Sequence, residues 1–405
     1  MTALSPDPAP ENRPVVRLLP KANARAIRHG MPWVYANEVV LDRRTKALAA
    51  GTLAVLEDGE RRPMGLVAVN PSSKIFCRML DADTTAVIDK VWFAQHLRHA
   101  LSMRTRLYEQ PFYRLIHAEA DGLPGVVIDR FGDVAVVQPN AAWADLCLGD
   151  LAQALVDVTG VTTVLKNASG RTRALEGLDD ENKVVIGAAS DAPVPVPMNG
   201  AIYMADVTGG QKTGLYFDQR PNHAFAAGLA RDGDVLDVFS HVGGFSLAAL
   251  AGGAARAQAV DGSAPALALA QMGAEKMGMA NRFQTTQGDA FEVLEALAQQ
   301  GTSFDLVVCD PPAFAPSKPA LAAGLRAYER VARLAAGLVR PGGYLGLCSC
   351  SHAADLAAFR GASIRGIGRA GRRSALIHTG FAGPDHPQMP ALAESGYLKS
   401  LFFRL

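Results

Sequence analysis

Two cysteines one residue apart, Cys348 and Cys350 in "GLCSCSHAAD" (346–355), and an aspartate ahead of two prolines in "DPPAF" (310–314), are the residues best suited to do chemistry. A thiolate is a nucleophile or a metal ligand, and a free cysteine is otherwise a small core residue. Two thiols with His352 fall short of a four-ligand zinc site, and no second Cys or His cluster lies nearby, so no metal is expected. Cys348 sits inside an apolar run and reads as core. Cys350, flanked by Ser349 and Ser351 at the end of that run, is the thiol a substrate can reach. Beside an acid that grips a base, a thiolate has a specific use. Adding it to carbon 6 of a cytosine makes carbon 5 electron-rich enough to take a methyl group from a sulfonium. Asp310 at ring nitrogen 3 would stabilise the developing charge if protonated, or orient the ring if not. Pro311 and Pro312 stiffen the loop, while Phe314 either stacks on a planar base or packs in the core. Transfer to an exocyclic amine of adenine or guanine would need no cysteine, which separates the two chemistries.

The elements that must position these groups alternate strand and helix beyond Pro193, through "VLDVF", "RAQAVD", "FQTTQGD", "FDLVVCD" and "GYLGLCS" with helical stretches between them. That alternation predicts an α/β fold with a parallel, doubly wound sheet. Gly243 and Gly244 in "SHVGGFS" follow the first strand and allow a ligand close to the backbone, but the Gly-x-Gly-x-x-Gly spacing of a dinucleotide site is absent. Acids stand in its place. Asp237 lies within the first strand, Asp261 ends the second, Asp289 follows the third and Asp310 ends the fourth. Carboxylates repel a diphosphate and suit an ammonium, ribose hydroxyls and an adenine amine, the groups that S-adenosylmethionine carries.

Upstream, residues 1–14 read as a disordered tail with neither the basic start nor the apolar run of a secretory signal. Residues 15–83 carry short β-rich segments and predict a small β-barrel. Residues 84–192 predict a connecting helix over 87–108, with Val91, Phe93, Leu97, Leu101 and Leu107 on one face, and then a compact α+β unit. Five scattered cysteines suit a reducing compartment, and no stretch reads as a membrane span, so the cytoplasm is expected. The first 110 residues hold sixteen Lys or Arg against eleven Asp or Glu, a net +5 in a chain of net +1, which permits a polyanion-binding surface without requiring one.

Taken in order, "RHGMPWVYANEV" (28–39), "EADGLPGVVIDRFGD" (119–133), "TGLYFDQRPNH" (213–223), "VLDVFSHVGGFS", "DPPAFAPSK", "SCS" (349–351) and "DHPQMP…GYLKSLFFR" resemble one family. It is that of the bacterial class I S-adenosylmethionine-dependent rRNA methyltransferases with an N-terminal PUA domain, the cytosine carbon-5 group. The resemblance implies a Rossmann-like methyltransferase domain over 193–405, a PUA-like RNA-binding domain over 15–83, and RNA, specifically large-subunit rRNA, as partner. It implies Cys350 as nucleophile with Asp310. Donor contacts are implied at Asp218, Gln219 and Arg220, in the 239–245 loop through Phe239, Ser240, Gly243, Gly244 and Phe245, and at Asp261 and Asp289, beside Asp237. The substrate base falls to Pro311, Pro312, Phe314 and Lys318. Ala313 occupies the place where other RNA cytosine methyltransferases carry a second loop thiol, and Val242 lacks the hydroxyl common in relatives. Trp33 and Tyr35 are read as core, and Arg365, Arg369, Arg372 and Arg373 as either a phosphate track or a solvated face. A flipped cytosine in a loop or in naked rRNA is the expected substrate. A homodimer is left open. The alternatives are a base N-methyltransferase using the same acidic loop and a non-catalytic RNA-binding assembly factor.

Overall fold

Alternating apolar residues build the first sheet in the computed structural model, which describes residues 9–209 and 214–405. Residues 1–8 of the expected tail, and Thr213 at the start of the 213–223 motif, lie outside the described residues. Strands β1 (Val15–Arg17), β2 (Trp33–Tyr35), β3 (Thr52–Glu57), β4 (Pro63–Val69) and β5 (Ile75–Asp81) pair in the order β1-β3-β4-β5-β2. Only β1 and β3 run parallel. The two edges are tied by a bridge between Leu18 and Val39, with the amides of Leu19 and Val40 donating to the carbonyls of Glu38 and Arg17 at 2.8 Å each. This closes the expected barrel around Val16, Val34, Leu56, Val67, Phe76 and Cys77. Short helices α1 (Ala24–Arg28) and α2 (Arg43–Lys46) lie between strands. Trp33 is half-buried, its indole donating to Glu119 Oε1 at 2.8 Å.

A second sheet in the same unit follows helix α3 (Lys90–Leu107). Its strands are β6 (Phe112–His117), β7 (Val126–Phe131), β8 (Val134–Pro139), β9 (Thr163–Lys166) and β10 (Lys183–Ile186), in that spatial order. Helices α4 (Ala142–Leu146) and α5 (Leu148–Thr159) carry the crossover from β8 to its parallel neighbour β9, and α6 (Arg171–Leu175) follows β9. Asp385–Ser395 belongs to this unit as well.

The buried face of α3 differs from the expected one. Phe93, Leu97, Ala100 and Arg104 face the core at i, i+4, i+7 and i+11, whereas Val91 and Leu107 are exposed. A charged residue ends this buried stripe because its charge is fully matched. Arg104 is wholly buried and grips Asp121 in a fork at 2.6 and 2.7 Å, and also donates to the carbonyls of Arg114 and Asp385 at 2.9 Å each. Asp385, equally buried, accepts from the amide of Arg114 at 3.0 Å, so the charge cluster is also what docks the 385–395 segment.

The second unit opens with the hairpin β11 (Val194–Met198) and β12 (Ala201–Ala205) and helix α7 (Arg220–Leu229). Strands β13 (Asp234–Val238), β14 (Arg256–Asp261), β15 (Phe283–Gln287), β16 (Phe304–Cys309), β17 (Val339–Ser349), β18 (Ala375–Gly380) and β19 (Lys399–Arg404) then form a sheet of order β15-β14-β13-β16-β17-β19-β18. β15 through β17 run parallel, and β19 is antiparallel to both its neighbours. The connecting helices are α8 (Gly244–Ala251), α9 (Ala264–Lys276), α10 (Ala290–Gln299), α11 (Leu321–Gly337) and α12 (Leu356–Arg369). The chain winds outward from β13 to β15 and restarts at β16, which makes the carboxyl ends of β13 and β16 a topological switch point.

Replacing Arg104 by methionine leaves Asp121 buried without its counter-charge, and such a break costs about 3–5 kcal/mol. A correspondingly lower urea midpoint for Arg104→Met is expected; an unchanged midpoint would show that the ion pair adds nothing to the fold.

Candidate active site

The loop leaving β13 is strained and then locked. Phe239 and His241 take positive φ values of 63° and 49°, and Gly243, at 81°, caps α8 in the left-handed region. Asp237, wholly buried, holds this turn from beneath: its Oδ2 accepts the amides of Phe245 and Ser246 at 3.1 and 2.8 Å, the first free donors of α8. Asp261 holds it from the side, accepting the amides of His241 and Ser263 at 2.8 Å each. The amide of Ser240 reaches the carbonyl of Val260 at 3.0 Å. Gly244 meets the buried ring of His223, whose Nε2 would lie 2.7 Å from any Cβ placed there. Burial pulls the pKa of His223 down to about 3, so the ring is neutral.

Buried polar atoms with no hydrogen-bond partner gather around this loop: Asp218 Oδ1, Asn222 Oδ1, His223 Nδ1 and Ser240 Oγ. Orphaned acceptors of this kind call for a ligand with donors. Asp218 is aimed by Tyr397, whose hydroxyl donates to its Oδ2 at 2.6 Å, and by the amide of Gly383, which donates to its carbonyl at 2.9 Å. An ammonium fits Asp218 and Ser240. The half-exposed Asp261 keeps acceptor capacity for ribose hydroxyls. Asp289 caps α10 through Oδ1 alone, accepting from Phe291 and Glu292, which leaves Oδ2 for an amine donor. Phe239, Phe291 and Phe314 form a partly buried aromatic wall there, with ring centroids 6.3 Å apart in two successive pairs. The residues present therefore fit S-adenosylmethionine.

Across the switch point, Asp310 follows β16 and its amide donates to the carbonyl of Val238 at 3.1 Å. Gln219, buried at the start of α7, donates through Nε2 to Asp310 Oδ2 at 2.9 Å, while its own oxygen accepts from Asn222 at 2.7 Å. Pro311 is buried, and Pro312 and Lys318 are exposed. Phe314 packs on Tyr328 at 5.0 Å as part of the aromatic wall, a core position more than a free stacking face.

The two cysteines have different surroundings. Cys348 is buried, and Ser400 donates to its sulfur at 3.2 Å; burial raises its thiol well above the usual range. Cys350 is half-exposed. Both flanking serines are buried and fastened to α11. Ser349 donates to the Tyr328 hydroxyl at 2.9 Å, that hydroxyl lies 2.7 Å from Ser351 Oγ, and Ser351 Oγ accepts the amide of Ala315 at 2.9 Å. The serines thus tie the Cys350 turn to the Asp310 loop. The Tyr216 ring packs edge-on against His241 at 5.0 Å, and burial, with the charges of Asp218, Asp310, Cys350 and Asp261 behind it, pushes its hydroxyl up to about 12.

With this geometry established, comparison with known proteins decides the family. The S-adenosylmethionine-dependent methyltransferase family matches residues 187–404, and the PUA-like domain family matches residues 16–82. The chain belongs to the S-adenosylmethionine-dependent methyltransferases. Its methyl donor is S-adenosylmethionine, and the Rossmann-like sheet of the second unit is the fold that this family uses. "Ribosomal RNA large subunit methyltransferase I" of Klebsiella pneumoniae (strain 342) is 32% identical over 392 residues, 96% of this chain and 98% of that protein. The protein of the same name from Vibrio cholerae (El Tor Inaba N16961) is 33% identical over 387 residues, covering 94% and 97%. Among solved structures, "A putative sam-dependent methyltransferase from Streptococcus mutans" superposes with a TM-score of 0.81 at 17% identity, covering 97% of this chain and 100% of that one, a likeness of fold.

Several sequence expectations gain a different role here. Asp237 was placed among the donor-binding acids, yet it is fully enclosed and acts on the loop backbone. Arg372 donates to the carbonyls of Ala336 and Arg340 and is tied into the fold, whereas Arg365 and Arg369 share Glu329 and stay largely exposed. Tyr216, Tyr328, Tyr397 and Lys399 were missed. For Tyr216, Tyr397 and Lys399 the only signal was membership of the motifs "TGLYFDQ" and "GYLKS", and Tyr328, inside the helical stretch 321–337, had none.

Burial raises the Asp237 carboxyl to about 6, against the lowering by the Ser246 and Phe245 amides. A folded-state value above the ordinary 3.8 means that the native protein holds a proton the unfolded chain has released. This contribution to stability is present at acidic pH and is lost as pH rises through the folded value. In thermal melts without donor, Asp237→Asn is expected to gain stability relative to wild type between about pH 4 and about pH 7. A pH-independent difference would rule the protonated carboxyl out.

Proposed function

We propose that this protein methylates carbon 5 of a cytosine in large-subunit ribosomal RNA, with Cys350 as covalent nucleophile and Asp310 as the group that holds the base. The observation that carries the reading is the half-exposed Cys350, fixed between two serines that bond to Tyr328 and to the Asp310 loop. A cysteine that merely filled the core needs no such fastening, and transfer to an exocyclic amine needs no thiol. The relatives named above support large-subunit rRNA as the substrate class.

The chain's own residues divide the work. Asp218, Ser240, Asp261 and Asp289 bind the donor, with Gly243 and Gly244 letting it approach the backbone and Gln219 and Arg220 flanking it. S-adenosylmethionine supplies an electrophilic methyl group on a sulfonium. The Cys350 thiolate forms a bond to carbon 6, and the electron pair displaced from the carbon 5–carbon 6 double bond makes carbon 5 the methyl acceptor. Asp310, held by Gln219, takes up a proton as the base binds, shares it with ring nitrogen 3, itself an acceptor, and so orients the ring. After a base removes the carbon 5 proton, the double bond re-forms and the sulfur leaves with its pair. Pro311 and Pro312 shape the base pocket, and Lys318 stands at its rim for a phosphate.

In this reading residues 15–83 dock the RNA, 84–192 form a central domain and 193–405 perform the transfer. A ribosomal substrate places the protein in the cytoplasm. Among the described residues no helix is long and apolar enough to cross a membrane. A homodimer is compatible with this reading.

Large-subunit rRNA from cells without the gene is expected to lack one 5-methylcytidine in nucleoside mass spectrometry. Wild type and Cys348→Ala restore it, whereas Cys350→Ala lowers turnover at least about a thousandfold. Loss of a methylated purine instead, or full rescue by Cys350→Ala, would return the thiol to the core and favour transfer to an amine.

A further inference from the structure

Lys399 is 5% exposed at the start of β19, opposite Ser349 in the antiparallel register with β17. Its ammonium donates to the carbonyls of Ser351 and Ala354 at 2.8 Å each, both in the turn that directly follows Cys350. Among the described residues no carboxylate lies within ion-pair distance of it. A buried ammonium is costly unless it is paired or put to use. Burial pulls Lys399 below its ordinary value, and Cys350 comes first among the groups that push back, ahead of Asp355.

An ordinary thiol is only a few per cent ionised at neutral pH, so a nucleophilic cysteine needs a cation nearby. The other groups set beside this turn are two tyrosines, two aspartates and one histidine. Asp310 on the facing loop opposes a thiolate. Tyr216 and Tyr328 are both raised and stay neutral, and both feel Cys350. Asp355, capping α12 at the end of the turn, is a further anion, and His352 is exposed on the turn itself.

We propose that Lys399 is the positioning residue that holds Cys350 as a thiolate, an inference that rests on Cys350 being the nucleophile. The thiol proton goes to solvent before the base binds. The sulfur–carbon 6 bond forms on attack and breaks on release, and the pair that returns to sulfur is stabilised by the same ammonium. By donating to Ser351 and Ala354, Lys399 also aims the turn that carries the thiol.

The test is the pH profile of iodoacetamide alkylation at Cys350, followed by peptide mass spectrometry on full-length wild type, Lys399→Gln, Lys399→Met and Lys399→Arg. Glutamine keeps two N–H donors, on a side chain one atom shorter, without the charge, so it separates electrostatics from support of the turn, and it carries the test if the methionine variant does not fold. Lys399→Gln is expected to alkylate about tenfold more slowly at pH 7, with its midpoint moved up by about one unit, while Lys399→Arg stays close to wild type. An unchanged profile in a folded Lys399→Gln overturns the proposal, and so does an equal loss in Lys399→Arg. The readout needs no RNA. Full methylation by Cys350→Ala would sink the nucleophile while leaving the Lys399–thiol coupling intact, so the two failures are distinct.

Discussion

Asp237, a carboxylate with no exposed surface, sets the working edge of the catalytic sheet. By accepting the amides of Phe245 and Ser246 it starts α8 where the chain must turn sharply, and it holds Phe239 and His241 in backbone conformations that isolated residues avoid. Everything at the switch point is placed from that loop. The amide of His241 finds Asp261 because the loop is fixed, and the Asp310 amide bonds to Val238 at the strand end just before it. The cost is a carboxyl raised to about 6, which the loop's fixed backbone requires.

Around this edge the site is layered. In the proposed reading an inner set of groups faces the ligands: Asp218, Ser240, Asp310 and Cys350. Behind them stand residues that touch only protein: Tyr397 on Asp218, Gln219 on Asp310, and Tyr328 with two serines on either side of Cys350. Positioning of this kind matters because misplacing a reacting atom by about an ångström can cost a hundredfold in rate. The final strand and the residues just before it concentrate such support. Within five residues, Tyr397 reaches the donor side, Lys399 the nucleophile turn and Ser400 the buried thiol of Cys348.

The first unit shows how misleading a helical stripe can be. Val91 and Leu107 fit an apolar face by spacing, yet the face that packs ends on Arg104, because Asp121 and two carbonyls satisfy its guanidinium. No pattern rule puts a charge in a core, since its partners come from a different strand and from a segment 281 residues away. Strand β6 went unread for a related reason. Arg114 and His117 interrupt its apolar alternation and are half-buried only because Asp129, Asp385 and His386 lie nearby.

What the sequence determined by itself is whatever depends on local spacing: the alternation of strand and helix, the acids at strand ends, the two-glycine turn and the identity of the reachable thiol. Period-2 and period-3.6 patterns and strand-end chemistry are carried by neighbours in the chain, so they survive without coordinates. Tertiary structure decided which of those acids hold backbone amides, and its burial of Cys348 but not Cys350 agrees with the choice made from position. It also brought Tyr216, Tyr328, Tyr397 and Lys399 to the site. Those assignments rest on burial and on hydrogen bonds between distant segments, quantities that exist only once the chain has packed.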